Sequence, residues 1–218
     1  MTPTGSLAVQ TASADFARYF DSVLRRALVG YRPLICPFDD LLALVPSGGD
    51  VLDVGCGNSL WLYLVHSVRR PKSLAGVDVN EEAIAAAKKA FSSAGVTVSL
   101  LATADPEMWP GGTFDAVTLI DVLHHVPPSH QESFFGAVAS RVRPGGYLIY
   151  KDMCRRPIWR AIGNQLHDLV LARQWVHHVD VGDVEKWAGS AGLVLEASID
   201  RAMYWYGHEL RRFKRLVS

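Results

Sequence analysis

Apolar and polar positions change period several times along this chain, and the changes divide it into elements. From Ser13 to about Val29, the apolar residues Phe16, Tyr19, Phe20, Val23, Leu24 and Leu28 recur at helical spacing and predict one amphipathic helix. Residues 1–12 before it are small and polar and are expected to fray. Pro33 and Pro37 then break the chain, and Phe38 to Leu44 suits one more short helix. From residue 51 the period alternates between short apolar runs and helical stretches. Strands are predicted at 51–54, 74–79, 96–101, 114–120 and 147–151, with helices after the first, second and fourth. Asn80 can cap the second of these helices, with Glu81 and Glu82 in its first turn. Ser129 and Glu132 have capping-box spacing for the third, which runs through Val142, and Pro144-Gly145-Gly146 turns the chain into the fifth strand. Such alternation predicts an α/β fold with a doubly wound parallel sheet.

After Asp152 the pattern changes. A helix is predicted from about Pro157 to Gln174, a second from Val184 to Ser190, and a strand from Leu193 to Ile199. The tail from Tyr204 to Leu216 reads as a final strand, yet Leu210, Phe213 and Leu216 sit three apart, which suits a helix better.

Composition narrows the class. The chain has 218 residues, 49% of them hydrophobic and 20% charged, which fits one globular domain with a full core. Formal net charge is +0, so nothing drives the chain as a whole towards nucleic acid. Cys36, Cys56 and Cys154 are widely spaced and odd in number; they make neither a disulfide framework nor a metal motif, and a reducing cytoplasm fits them. No signal-peptide pattern opens the sequence, and no apolar run reaches membrane-spanning length, so a soluble protein is expected.

Chemistry concentrates where strands end. Val51-Leu52-Asp53-Val54 runs directly into Gly55-Cys56-Gly57-Asn58-Ser59, a glycine turn that lets a ligand lie against the main chain. Asp53 inside an apolar run needs loop amides or a cationic ligand group to offset its burial. Asp78 closes the second strand, where a carboxylate can accept two hydrogen bonds from ribose hydroxyls. Thr103-Ala104-Asp105 follows the third strand, and Asp121-Val122-Leu123-His124-His125 the fourth.

Taken in order, LDVGCG, GVDVN, FDAVTLIDVLHH and VRPGGYLIYKD resemble the successive motifs of class I S-adenosylmethionine-dependent methyltransferases of the small-molecule type. The resemblance covers roughly residues 48–152. It implies a Rossmann-like, mostly parallel seven-stranded sheet with an N-terminal helical extension and an antiparallel C-terminal edge. Residues 13–46 would be a helical cap, 48–152 the cofactor core, and 153–218 the substrate side of one domain. The implied cofactor is S-adenosylmethionine. Gly55 and Gly57 would line its methionine part, with Asp53 and Cys56 alongside. Asp78 and Val79 would hold the ribose, Asp105 or Ala104 the adenine, and Asp121 and Val122 the region of the amino-acid moiety. Two positions depart from the pattern: Ser59 stands where many members keep a third glycine, and the stretch from Asp105 to Phe114 is short.

The rival is an NAD-dependent dehydrogenase, which shares strand, glycine turn, helix and acid. Leu60 stands where its fingerprint needs the third glycine, and Asp53 would repel phosphates while suiting a sulfonium and ammonium. A non-catalytic cofactor-binding or partner subunit with the same fold is the other alternative.

If the acceptor is a hydroxyl, a base must take its proton. His125 is the first candidate and His124 the second, because both follow the fourth strand; their bland reading is a structural pair bonded to backbone. Tyr19, His167, Trp175 and Tyr206 are candidates for the substrate pocket, and a metal site is not expected. The segment from Asn164 to Trp175 resembles methyltransferases encoded with bacterial aryl-polyene or polyketide-type lipid pathways. The expected partner is a small acceptor, aromatic or a carrier-bound acyl chain, methylated on a phenolic, hydroxyl or carboxyl oxygen; nucleic acid is not expected.

Overall fold

The computed structural model describes residues 6–153, 179–203 and 206–217, and for Tyr206 the backbone alone. Its centre is a seven-stranded sheet in the order β3-β2-β1-β4-β5-β7-β6. The strands are β1 (Asp50–Val54), β2 (Ser73–Asp78), β3 (Ser99–Ala102), β4 (Phe114–Ile120), β5 (Val142–Met153), β6 (Leu193–Met203) and β7 (Tyr206–Arg215). The first five pair in parallel, and β7 runs antiparallel between β5 and β6. The expected doubly wound, mostly parallel sheet with an antiparallel C-terminal edge is therefore observed. Strand order reverses between β1 and β4, and ligands of open α/β sheets sit outside the carboxyl ends at that point.

Both faces of the sheet are covered, so its strands alternate between two cores rather than between core and water. Val51 and Ala116 face the core shared with the helices α1 (Leu7–Ala17), α3 (Phe38–Leu44), α4 (Leu60–Arg69) and α5 (Glu81–Ser93). Leu52, Val117 and Leu119 face the other, shared with α6 (Gln131–Ser140) and α7 (Val181–Ser190). Asn80 caps α5 as its position predicts, accepting from the Ala83 amide at 2.9 Å.

Five local readings change. The single helix predicted over 13–29 is two, α1 and α2 (Val23–Ile35). Phe20 packs edge-on against Phe16 at 5.2 Å, and Ser22 caps the new start at Val23. Residues 7–12, expected to fray, are helical because Ser6 caps α1 and is itself tied to Asp39. Pro33 ends nothing; it sits inside α2, near its C-terminus. The predicted capping box does not form: Ser129 lies in a 3-10 turn, its hydroxyl meets His130 Nδ1, and α6 begins at Gln131 without a side-chain cap. The Pro144-Gly145-Gly146 stretch is part of β5, at a register irregularity opposite Phe114–Ala116.

The tail is a strand, not a helix. Leu210 and Phe213 are both buried, but they belong to opposite cores. A strand flanked on both edges and covered on both faces has no polar side to enforce alternation of two. The spacing of Leu210 and Phe213 arises from that double burial; Leu216 lies beyond the strand and is exposed.

Candidate active site

The site forms at the strand ends on either side of the switch point. On one side, β1 ends in the glycine turn. The Gly55 and Cys56 amides both donate to the Val77 carbonyl, at 2.8 and 3.0 Å, which pins the turn to β2. Gly55 has φ +78°, and a Cβ there would lie 2.2 Å from Val122 Cγ2. Only glycine meets both the conformation and the close approach. The Gly57 amide donates to Asp78 Oδ2 at 2.7 Å, and the Asn80 amide to Asp78 Oδ1 at 2.8 Å. Each oxygen of this half-buried carboxylate thus holds one backbone donor and keeps acceptor capacity for another. Ser59, where a third glycine was the expectation, adopts φ 58° without it and leads into α4.

Asp53 is buried beneath the turn. It accepts from the Thr118 hydroxyl at 2.6 Å, and that hydroxyl accepts from Trp61 Nε1 at 3.1 Å. Burial pushes the Asp53 carboxyl up to about 7 despite the Thr118 hydrogen bond.

On the other side, β4 ends at Asp121 in a left-handed conformation, φ 55°. Its amide donates to the Lys151 carbonyl at 2.9 Å. Its carboxylate meets two cations: Lys151 Nζ at 2.5 Å on Oδ1 and Arg32 at 3.1 Å on Oδ2. Burial alone would raise this carboxyl, but Lys151 and Arg32 outweigh it and hold it well below the usual carboxylate range. His124 and His125 follow in a 3-10 turn with their rings 4.1 Å apart between centroids. His124 is buried and pairs through Nδ1 with the buried Asp152, whose Oδ1 also receives the Met153 amide. His125 is exposed.

Helix α2 lies across both sides. Arg25 donates to Asn58 at 2.8 Å beside the glycine turn, and Arg32 reaches Asp121. Between the helix and the strand ends is a cavity of about 380 Å³. Its walls bring together Asp53, Gly55, Cys56 and Gly57 with Asp121, His124 and His125. Val122 packs behind Gly55. Asp78 stands at the adjoining strand end, with Val79 71% exposed beside it. Asp105 and Ala104 are exposed at the end of β3, and the Asp105 carboxylate caps its own short turn by accepting from the Glu107 amide. None of these last four residues lines the cavity. Tyr19 packs against the core around α1 and also does not line it. His167, Trp175 and the Tyr206 side chain fall outside the described residues, as does the predicted helix 157–174.

Arg32, Lys151 and His208 also line the cavity, and none of them stands out in the sequence as a site residue. One signal was present: Lys151-Asp152 closes the apolar run Tyr147-Leu148-Ile149-Tyr150, and charges at the end of a buried strand need partners.

The chain matches the methyltransferase domain family over residues 30–198. It belongs to that family. Among curated relatives, the chain is 32% identical over 162 residues to the ubiquinone biosynthesis O-methyltransferase of Xanthomonas axonopodis pv. citri, covering 70% of this chain and 66% of that protein. It is 29% identical over 163 residues to the protein of the same name from Alkalilimnicola ehrlichii, covering 69% and 62%. The chain thus spans just under two thirds of the length of these relatives. Among solved structures, magnesium protoporphyrin IX methyltransferase from Synechocystis PCC 6803, solved with bound SAH, superposes with TM-score 0.65 at 18% identity, over 89% of this chain and 88% of that one. The likeness shows a shared methyltransferase fold. The dehydrogenase alternative falls with the family match. Among the described residues, no helix is long and apolar enough to cross a membrane.

Proposed function

We propose that this methyltransferase moves a methyl group from S-adenosylmethionine to an oxygen of a small, lipid-like acceptor bound in the cavity beneath α2. The observation that carries the reading is that one cavity has the glycine turn on one wall and the paired histidines on another. Relatives that are O-methyltransferases of ubiquinone biosynthesis support oxygen as the acceptor atom.

The residues present fit the cofactor. The missing Cβ at Gly57 leaves main chain open for its amino-acid part, Gly55 lets the turn close against Val122, and the amide-held Asp78 carboxylate suits two ribose hydroxyls. Val79 and the exposed loop at Ala104 and Asp105 lie on the nucleoside side of Asp78. Asp53, buried and near neutrality of titration, gains a reason to ionise beside a cation. When bound, S-adenosylmethionine supplies an electrophilic methyl group on a sulfonium.

Methylation of oxygen needs alignment in a dry pocket more than it needs a covalent intermediate on the protein. Leu28, Tyr31 and Ile35 of α2 give that pocket an apolar roof. His125, exposed at the mouth, accepts the hydroxyl proton of the acceptor. His124 is the second choice; its Nδ1 is committed to Asp152, which fixes its ring.

Binding of S-adenosylhomocysteine, measured by calorimetry, tests the first half. Transfer of labelled methyl to a panel of phenols, hydroxy acids and carboxylic acids tests the second. Cofactor binding without transfer to any acceptor, including those in a cell extract, would favour a non-catalytic subunit.

A further inference from the structure

The Lys151 ammonium is an unusual group to find where it is. The side chain is 1% exposed, on an interior strand, and it lines the cavity. A buried ammonium carries three donors and no acceptor, and each donor without a partner costs stability. Among the described residues Lys151 Nζ has one hydrogen-bond partner, Asp121 Oδ1. Asp121 is not its alone, because Oδ2 of the same carboxylate pairs with Arg32.

Counting the described residues alone, this corner is positive. Two fixed cations, Lys151 and Arg32, face one carboxylate, Asp121. Asp53, on β1, is turned to Thr118, and Asp152, next along β5, is held by His124 and the Met153 amide. His208, opposite on β7, is pushed down to about 2 by burial and then by Lys151, so it stays neutral. Burial raises the Cys36 thiol at the end of α2, so it supplies no anion either. The corner calls for an anionic or strongly accepting oxygen that the described protein does not provide.

Strand order says which bound molecule brings it. Asp78, on β2, marks the nucleoside side of β1. Lys151, on β5, lies two strands from β1 on the opposite side, roughly 10 Å across at the usual strand spacing. It shares that side with His124 and His125. From this placement we infer that Lys151 binds the attacking oxygen of the acceptor and that the site selects acceptors whose hydroxyl ionises readily, phenols or enols rather than aliphatic alcohols. The inference rests on the functional reading above. The acceptor O–H proton passes to His125 and on to water, and the oxygen stays behind as an oxyanion against the Lys151 ammonium.

The test uses 4-nitrophenol, whose phenolate absorbs visible light, with protein saturated by S-adenosylhomocysteine. Bound to the wild-type protein, the probe should show the phenolate spectrum about one pH unit below its midpoint in free solution, a tenfold preference for the anion. Lys151→Met and Lys151→Gln should abolish that displacement while the Kd for S-adenosylhomocysteine changes less than about threefold; Lys151→Arg should retain it. Lys151→Gln keeps a donor for Asp121, so the test survives if the methionine variant does not fold. A probe that titrates with wild-type protein as it does in free solution overturns the inference, as does a displacement that persists in the neutral variants. Weakening of S-adenosylhomocysteine by tenfold or more in those variants also overturns it, because Lys151 would then serve the cofactor carboxylate. Failure of the wild-type protein to bind S-adenosylhomocysteine at all removes the functional reading itself, which separates the two failures.

Discussion

The two sides of the cavity are built by different means. The turn side is made largely of main chain: the amides of Gly55, Cys56, Gly57 and Asn80 set its shape, and Asp78 and Arg25 are charged contacts at the rim. The histidine side is made of side chains: Arg32 from α2, Asp121 and the histidines after β4, Lys151 from β5 and His208 from β7, with Asp152 of β5 pairing with His124. Main chain recognises a group of fixed shape, whereas gathered side chains set charge and proton chemistry. The difference teaches where specificity can vary without loss of the cofactor, and it can be tested by changing one side at a time.

The largest effect is expected on the histidine side. His125→Ala should lower turnover by about 10²–10⁴ while leaving cofactor affinity nearly unchanged, read as kcat against the Kd of S-adenosylhomocysteine. Unchanged turnover would return His125 to the structural reading and move the proton to His124. A weak effect at both histidines would point to a carboxylate acceptor, which needs no strong base.

Next comes Asp78 on the turn side. Asp78→Ala removes the proposed acceptor for two ribose hydroxyls and a tie for two amides, and should weaken cofactor binding by on the order of 2–4 kcal/mol. Gly55→Ala should come third. Alanine at positive φ costs about 1–2 kcal/mol, and its Cβ meets Val122, so the turn must shift and cofactor affinity should fall about tenfold or more. Adding Val122→Ala should recover part of that loss; no recovery would mean that conformation, not contact, keeps glycine there.

The smallest effect concerns pH. Asp53 in the folded protein titrates near 7, above its unfolded value. The unfolded chain therefore loses that proton first, and stability should fall as pH rises from about 4 to 7 and level off above. Asp53→Asn should flatten the difference between urea midpoints at pH 5 and pH 8. The slope that remains has two opposed parts: burial also raises Glu209 to about 7, with the same sign, while His208, held down to about 2, adds stability as pH rises to about 6.5.

The same division explains what was legible in the sequence. The glycine turn and Asp78 are local signals: a strand, a turn and an acid at the next strand end, each readable from a few neighbours. Lys151 and Arg32 were not readable in this way, because their partner is Asp121, and only the pairing of β4 with β5 and the lie of α2 bring the three together. Leu24 and Leu28 show a further limit. Helical spacing marks them as a buried face, yet they are 68% and 40% exposed, and Leu28 borders the cavity. Periodicity reports an apolar stripe but not what covers it. The β7 tail misled for the opposite reason, since burial on both faces erased the strand period.

The most direct measurement is a crystal structure of the protein with S-adenosylhomocysteine. The account predicts ribose hydroxyls on Asp78, the amino-acid part along Gly55–Gly57, and the sulfur facing the cavity walled by His125 and Lys151. A nucleoside seated away from Asp78, or a sulfur turned from the histidines, would contradict it.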